Sequence, residues 1–181
     1  MKKFAIINAF ALLALTLFTA CTFRYSAVEY NNRVVEQINE SSSLIEESAA
    51  LYNNVIPDTM TEQIEIDAAG MQELYRQSTQ ALTSTKRLLN LESRREDQAL
   101  DTRAGIDTYT AAGDFYLGTF EKMLEYYSTE AYKEDISQVA TLDETLHQHF
   151  TTFIAANNDL VEILETFVEE RKPRPSPPQE P

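Results

Sequence analysis

Residues 136–167 read ISQVATLDETLHQHFTTFIAANNDLVEILETF, and this stretch decides the fold class of the chain. Large apolar side chains recur there in steps of three and four residues, which places them along one face of an α-helix. These inward positions are Ile136, Val139, Leu146, Phe150, Phe153, Leu160, Leu164 and Phe167. Asp143 and Asn157 interrupt the repeat, and polar residues at such positions either fix the register of packed helices or line a small polar cavity. The stretch predicts one long helix packed against other helices.

Three earlier segments, residues 28–56, 60–88 and 106–127, carry apolar side chains at the same spacing. The chain contains no Asn-Gly, Asp-Gly or Gly-Gly pair, which are the usual signals of a β-hairpin. Four long helices joined by short turns bury their apolar stripes together when they run side by side in alternating directions. We therefore expect an all-α, antiparallel up-down-up-down four-helix bundle over residues 26–172.

Capping boxes predict where these helices start, because a Ser or Thr side chain accepts a hydrogen bond from the backbone three residues on and a Glu there bonds back. The motif occurs at three expected starts, Ser26-x-x-Glu29, Thr59-x-x-Glu62 and Ser93-x-x-Glu96. It also occurs at Ser43 and Thr141, inside segments predicted to be continuous, and would mark breaks there if those helices were interrupted. Pro57 disfavours helix at Ile56 and so separates the first two helices. The last turn is expected near residues 128–130.

The N-terminus has the pattern of an export signal. Two lysines are followed by an apolar segment, residues 4–18, and then by Thr19, Ala20 and Cys21. The four residues Phe18-Thr19-Ala20-Cys21 resemble the signal of bacterial lipoproteins, which are cleaved before a cysteine that receives a diacylglyceryl group and usually an amide-linked acyl chain such as palmitate. We therefore expect a signal peptide over residues 1–20 and a lipidated linker over residues 21–25.

The resemblance implies a location as well as a modification. A cysteine with two or three acyl chains, at about 0.8 kcal/mol per buried methylene, would hold the protein stably on a membrane. The resemblance places the domain on the extracytoplasmic side of the cell envelope, and Thr22, which is not an aspartate, implies the outer membrane if the bacterium has two membranes. Two alternatives remain, a plain secretory signal with a coincidental cysteine and an uncleaved membrane helix over residues 4–22, which is short for a span of about 20 apolar residues.

The net charge of −14 argues against nucleic acid as a partner, because such binding depends on neutralising phosphates with lysine and arginine. In a four-helix bundle the C-terminus returns to the lipidated end, and most basic residues after Cys21 then map to that end. They include Arg24, Lys86, Arg87, Arg94, Arg95, Arg171 and Lys172. We interpret them as a membrane-proximal basic patch for anionic headgroups, worth about 1 kcal/mol per residue. Alternatively, they complement helix C-termini and pair with neighbouring glutamates.

Tyrosines are expected to gather at the opposite end, at Tyr52, Tyr126, Tyr127 and Tyr132, with Glu130 among the acidic residues around them. Tyrosine is favoured at contact surfaces because it combines a rigid ring with a hydroxyl. The cluster is interpreted either as a docking tip for an envelope protein with a basic rim or as the last layer of the core with hydroxyls in water.

Signals for catalysis or metal binding are weak. Glu144-x-x-His147 has the spacing of carboxylate-bridged metal bundles, but those sites need a second such pair, and His149 is expected on the other side of the helix. No Gly-x-Ser-x-Gly motif, Ser-x-x-Lys pair or second cysteine marks a nucleophile, and with Cys21 alone the domain has no internal disulfide. We predict no enzyme activity, no catalytic residue, no metal and no cofactor.

Residues 173–181 are rich in proline and predict a disordered, extended tail that acts as a spacer. Together these features favour a non-enzymatic, membrane-anchored envelope lipoprotein whose helical bundle serves protein–protein interaction or a structural role. The alternative is a small-molecule-binding or sensory helical bundle, similar in layout to the periplasmic helical domains of chemoreceptors.

Overall fold

The computed structural model describes residues 24–55, 68–129, 131 and 135–169. Four α-helices account for most of these residues: α1 (Ala27–Val55), α2 (Ala68–Arg87), α3 (Glu96–Ser128) and α4 (Ile136–Glu169). A 3₁₀ turn, Leu88–Asn90, follows α2 directly. The all-α prediction with four helices is confirmed, whereas the predicted signal peptide and Pro-rich tail lie outside the described residues.

The capping box at the start of α1 forms as predicted. The Glu29 backbone N–H donates to Ser26 Oγ at 3.3 Å, and the Ser26 backbone N–H donates to Glu29 Oε2 at 3.0 Å. The Ser26 hydroxyl also donates to Glu29 Oε2 at 2.7 Å. Hydrogen bonds from Ser26 lower the pKa of the Glu29 carboxyl, because they stabilise its ionised form. Helices α1 and α4 run without interruption past Ser43 and Thr141, so the motifs there mark no break.

The capping box predicted at Ser93 does not form. In the predicted box Ser93 would be the N-cap and Glu96 the third residue of the helix. Helix α3 instead begins at Glu96, and its N-cap is Arg95, whose side chain makes no capping hydrogen bond. Ser93 Oγ instead accepts from the Arg95 backbone N–H at 3.2 Å and donates to Gln98 Oε1 at 3.2 Å. The predicted start at Thr59 and the break at Pro57 lie outside the described residues.

A short strand pair precedes α3 and adds the described residues' one element of sheet to the four helices. Strand β1 (Arg24–Tyr25) pairs in parallel with β2 (Glu92–Ser93). The Arg94 backbone N–H adds a bond to the Tyr25 carbonyl at 2.9 Å. The pair joins the chain just before α1 to the chain just before α3, and so holds the N-termini of these two helices together. We call this end of the molecule the base.

The apolar core follows the predicted stripe in α4, where Leu146, Phe153 and Leu160 are buried. In α1 the spacing of apolar residues in the segment 28–56 predicts that Val28 and Val35 lie inside, but they are 53% and 39% exposed. The inward face of α1 carries the buried residues Tyr30, Val34, Ile38, Ser41, Ile45, Ser48 and Tyr52. Apolar spacing predicts Ile38, Ile45 and Tyr52 on this face but omits Ser41 and Ser48, which are buried against tyrosine hydroxyls of α3.

Candidate functional site

A buried polar layer crosses the middle of the molecule and receives a side chain from each helix. The Tyr109 hydroxyl of α3 lies 2.7 Å from Ser41 Oγ and 2.9 Å from Ser42 Oγ of α1. Thr85 of α2 donates to Ser41 Oγ at 3.1 Å, and Ser42 donates to Asn157 Oδ1 of α4 at 3.0 Å. Buried hydroxyls are costly unless they are hydrogen-bonded, and here each has a partner. Asn157 therefore acts as a cross-helix acceptor.

A second Ser–Tyr pair repeats this contact one heptad further along the same two helices. Ser48 Oγ lies 3.1 Å from the Tyr116 hydroxyl, as Ser41 does from Tyr109. Burial raises the pKa of Tyr116 to about 12, so this hydroxyl stays protonated at neutral pH. The sequence carries a signal for these pairs that apolar counting overlooked, since both the serines and the tyrosines are seven residues apart.

Tyr52 and Asp143 make the next polar contact between α1 and α4. The Tyr52 hydroxyl donates to Asp143 Oδ1 at 2.9 Å. Burial, followed by the hydrogen bond to Asp143, raises the pKa of Tyr52 far above its usual value. Tyr52 is therefore a permanent donor that orients the Asp143 carboxylate. Asp143 itself is exposed, so its predicted inward position is corrected to the edge of the core.

A cleft of about 130 Å³ opens beside this contact, and we call it the α1–α4 cleft. Its apolar and aromatic wall consists of Ala49, Tyr116, Leu146 and Phe150, with the ring of Tyr52 beside them. Its polar rim consists of Asn53, Asp143 and His147, all of which are exposed. A polar cavity at Asp143 is one of the two alternatives that the sequence offers, but the apolar repeat does not connect it with Asn53, which belongs to α1, or with His147, which lies one turn further along α4.

A second, larger groove lies between the same helices on the base side of the polar layer. It measures about 220 Å³ and is lined mainly by Val35, Ile38, Val161 and Leu164. Val35 and Val161 are partly open to solvent. The Ser42–Asn157 bond lies between this groove and the α1–α4 cleft, so α1 and α4 meet at intervals along their length.

The tyrosines predicted as a docking tip are buried where the structure describes them. Tyr52, Tyr126 and Tyr127 are 3%, 9% and 6% exposed, respectively. The Tyr126 hydroxyl donates to the Asp135 backbone carbonyl, and the rings of Tyr126 and Tyr127 pack edge to face at 6.4 Å. These rings leave a partner little side-chain area, so their partner-binding role stays a prediction. Tyr132 and Glu130 lie outside the described residues.

Several arginines at the base contact neighbouring acidic or aromatic side chains. Arg24 Nε lies 3.1 Å from Glu92, and Arg95 Nη2 lies 2.6 Å from Asp97. The guanidinium of Arg95 also lies 5.2 Å from the ring centre of Phe167 near the end of α4. These contacts fit the interpretation of local charge pairing, and binding to anionic headgroups stays a prediction.

The remaining members of the basic patch are not all brought together. Arg94 lies near enough to Glu29 to contribute to its lowered pKa. Lys86 Nζ contacts Asp114 Oδ2 at 2.5 Å. Asp114 lies about 27 Å along α3 from the first residue of that helix. Lys86 and the exposed Arg87 beside it therefore lie about halfway along α3, away from Arg24 and Arg95. Cys21, Arg171 and Lys172 lie outside the described residues.

The two histidines face different neighbours. His149 Nδ1 lies 2.9 Å from Thr119 Oγ1 and 3.1 Å from the Phe115 carbonyl of α3, whereas His147 lies on the rim of the α1–α4 cleft. Within the described residues, no three His, Cys, Asp or Glu side chains gather closely enough to hold a metal ion. None of the described helices is long and apolar enough to cross a membrane.

No known protein family, no curated protein and no solved structure matches this chain.

Proposed function

We propose that this protein is a non-enzymatic lipoprotein of the cell envelope, anchored through acyl chains on Cys21, whose helices contact another envelope protein or serve a structural role. The observation that carries the proposal is the lipoprotein-type signal that ends at Cys21. The chain continues directly from this signal into β1 at the base, which gives the anchor a fixed point of attachment on the domain.

We propose further that α1 to α4 form an up-down-up-down bundle. Contacts between successive helices support this arrangement. The bonds from Ser42 to Asn157 and from Tyr52 to Asp143 support closure of the ring between α1 and α4, with residues late in α1 meeting residues early in α4. The seven-residue spacing shared by Ser41, Ser48, Tyr109 and Tyr116 is the one expected when α1 and α3 run in the same direction.

In this arrangement the protein stands with its base at the bilayer and its acidic helices directed away from it. The Arg24–Glu92 and Arg95–Phe167 contacts support the idea that both ends of the domain lie at the base. Because Arg24 and Arg95 have acidic neighbours, the acyl chains supply the attachment, and exposed ion pairs of this kind contribute little energy. The location is the extracytoplasmic face of the envelope, in the outer membrane if there are two membranes.

Replacing Cys21 tests the anchor. In the native chain we expect cleavage before Cys21, incorporation of labelled palmitate and recovery in a salt-washed membrane fraction. Cys21→Ala should abolish both labelling and cleavage, whereas a native chain that takes up no palmitate and stays uncleaved in washed membranes would support an uncleaved membrane helix and contradict the proposal. Crosslinking of the native chain in intact cells, with Cys21→Ala cells as the control, should capture an envelope protein.

A specific observation also favours a second function, the binding of a small molecule between helices. The α1–α4 cleft joins an aromatic wall to a polar rim, which is the usual composition of a ligand site. A ligand that binds only the folded protein raises its melting temperature. A thermal-shift screen of small metabolites would therefore separate this function from a purely structural role.

A further inference from the structure

We propose that the α1–α4 cleft binds a small organic cation, specifically a primary alkylammonium, whose charged head meets Asp143 and whose chain lies along the aromatic wall. The inference rests on the second function proposed above, and it is independent of the lipid anchor on Cys21.

The carboxylate of Asp143 is held in place with one oxygen still available. Its Oδ1 accepts from the buried Tyr52 hydroxyl, while its Oδ2 accepts no hydrogen bond from any described residue. Hydrogen bonds between ionised partners are shorter and stronger than neutral ones. An ammonium group at Oδ2 would therefore meet an acceptor that Tyr52 has already oriented.

Two other polar side chains on the rim are also unengaged within the described part of the chain. The Asn53 amide and the His147 ring line the cleft, and neither makes a side-chain hydrogen bond to a described residue. An ammonium group has three donors, so the Asn53 amide oxygen can accept a second one. The cleft thus offers more acceptors than one carboxylate alone.

The wall of the cleft suits the apolar part and the charge of the same ligand. The rings of Tyr116 and Phe150 lie 5.6 Å apart between their centres, with Leu146 beside them. A cation over an aromatic face is attracted by the ring quadrupole, and a short alkyl chain is shielded from water by the same wall. A dry cavity of about 150 Å³ holds benzene. A cleft of about 130 Å³ therefore accommodates a head group with about four carbons.

The charge of the surrounding helices selects a cation over an anion. Helices α1 and α4 contain one basic residue between them, Arg33, which lies near the start of α1. Glu46, Glu47 and Glu144 lie within one turn of a residue that lines the cleft. Fields of one sign concentrate ligands of the opposite charge.

The test titrates n-butylammonium chloride into the purified full chain and follows the NMR resonances of Asn53 and His147. We expect a saturable shift of both resonances. The matched probes 1-butanol and butyrate have the same chain length with no charge or the opposite charge, and each should bind at least tenfold more weakly. No saturable shift with n-butylammonium, or equal affinity for 1-butanol, would overturn the proposal without affecting the test of Cys21.

Two isosteric variants separate direct contact from general attraction. Asp143→Asn and Glu144→Gln remove the same charge from adjacent positions on α4, but only Asp143 lines the cleft. We expect Asp143→Asn to weaken n-butylammonium binding at least tenfold and Glu144→Gln to change it less than twofold. Equal weakening in the two variants would mean that the helices attract cations without a site, and would refute the inference.

Discussion

The Tyr109 hydroxyl lies at the centre of the polar layer. It meets Ser41 and Ser42 of α1, which are in turn bonded to Thr85 of α2 and Asn157 of α4. Its ring packs on Phe153 with the centres 5.0 Å apart. Burial raises the pKa of Tyr109, so the hydroxyl remains a neutral donor and acceptor. One side chain thus links hydrogen bonding to core packing.

Tyr109→Phe is predicted to destabilise the protein by about 1–3 kcal/mol. The ring and its packing remain, but the serine hydroxyls lose a buried partner that water cannot replace. The measurement is the free energy of unfolding from urea denaturation. Tyr75→Phe is the control, because Tyr75 is less buried and lies outside the polar layer, and it should cost clearly less. An equal loss of unfolding free energy in the two variants would show that burial of the network adds no stability.

At the scale of the element, α3 packs against both α2 and α4, and it uses small residues for close approach. A Cβ on Gly113 would lie 2.9 Å from both methyl carbons of Leu82 in α2, while a Cβ on Gly118 would meet no atom within 4 Å. Leu82 is almost fully buried and has little space to move into. The two glycines therefore share a helix but differ in what surrounds them.

Gly113→Ala and Gly118→Ala should change stability in opposite directions. Alanine is favoured over glycine in a helix by about 0.5–1 kcal/mol, and Gly118→Ala should stabilise by that amount. At Gly113 the overpacking cost of about 1–3 kcal/mol exceeds this gain, so Gly113→Ala should destabilise. Thermal unfolding of both variants measures the difference. Stabilisation by Gly113→Ala would show that α2 and α3 separate at no cost.

For the whole molecule, the dominant property is unbalanced negative charge. The net charge is −14, and the long helices α1 and α4 contain only Arg33 as a basic residue. Like charges on neighbouring helices destabilise the compact state by self-repulsion. The described ion pairs, such as Arg24–Glu92 and Lys86–Asp114, are exposed and offset little of this.

Salt is therefore predicted to stabilise the fold. Raising sodium chloride from about 0.01 M to 0.15 M shortens the Debye length from about 30 Å to 8 Å and screens repulsion between α1 and α4. The urea midpoint should rise, and it should rise less in a Glu46→Gln, Glu47→Gln double variant, which has less charge to screen. A midpoint that falls with salt would indicate that attractive pairs outweigh the repulsion.

The sequence alone determined that the chain is helical and where its longest helix lies. Apolar side chains at three-and-four spacing in residues 136–167 leave one face to bury, and the capping box at Ser26 depends only on residues three apart. Both signals are local, so they can be recognised without knowing what the helix packs against. The prediction of Asn157 and Asp143 as special positions in α4 came from the same local repeat.

Only the tertiary structure decided which polar residues of α1 are buried and where polar groups converge. Ser41 and Ser48 are inward because Tyr109 and Tyr116, 68 residues away in the chain, supply hydrogen bonds. The β1–β2 pair replaces the cap expected at Ser93 because backbone groups distant in sequence meet there. The α1–α4 cleft likewise combines residues from three helices. A buried polar group is stable only with its partner, and that partner is set by the packing of helices.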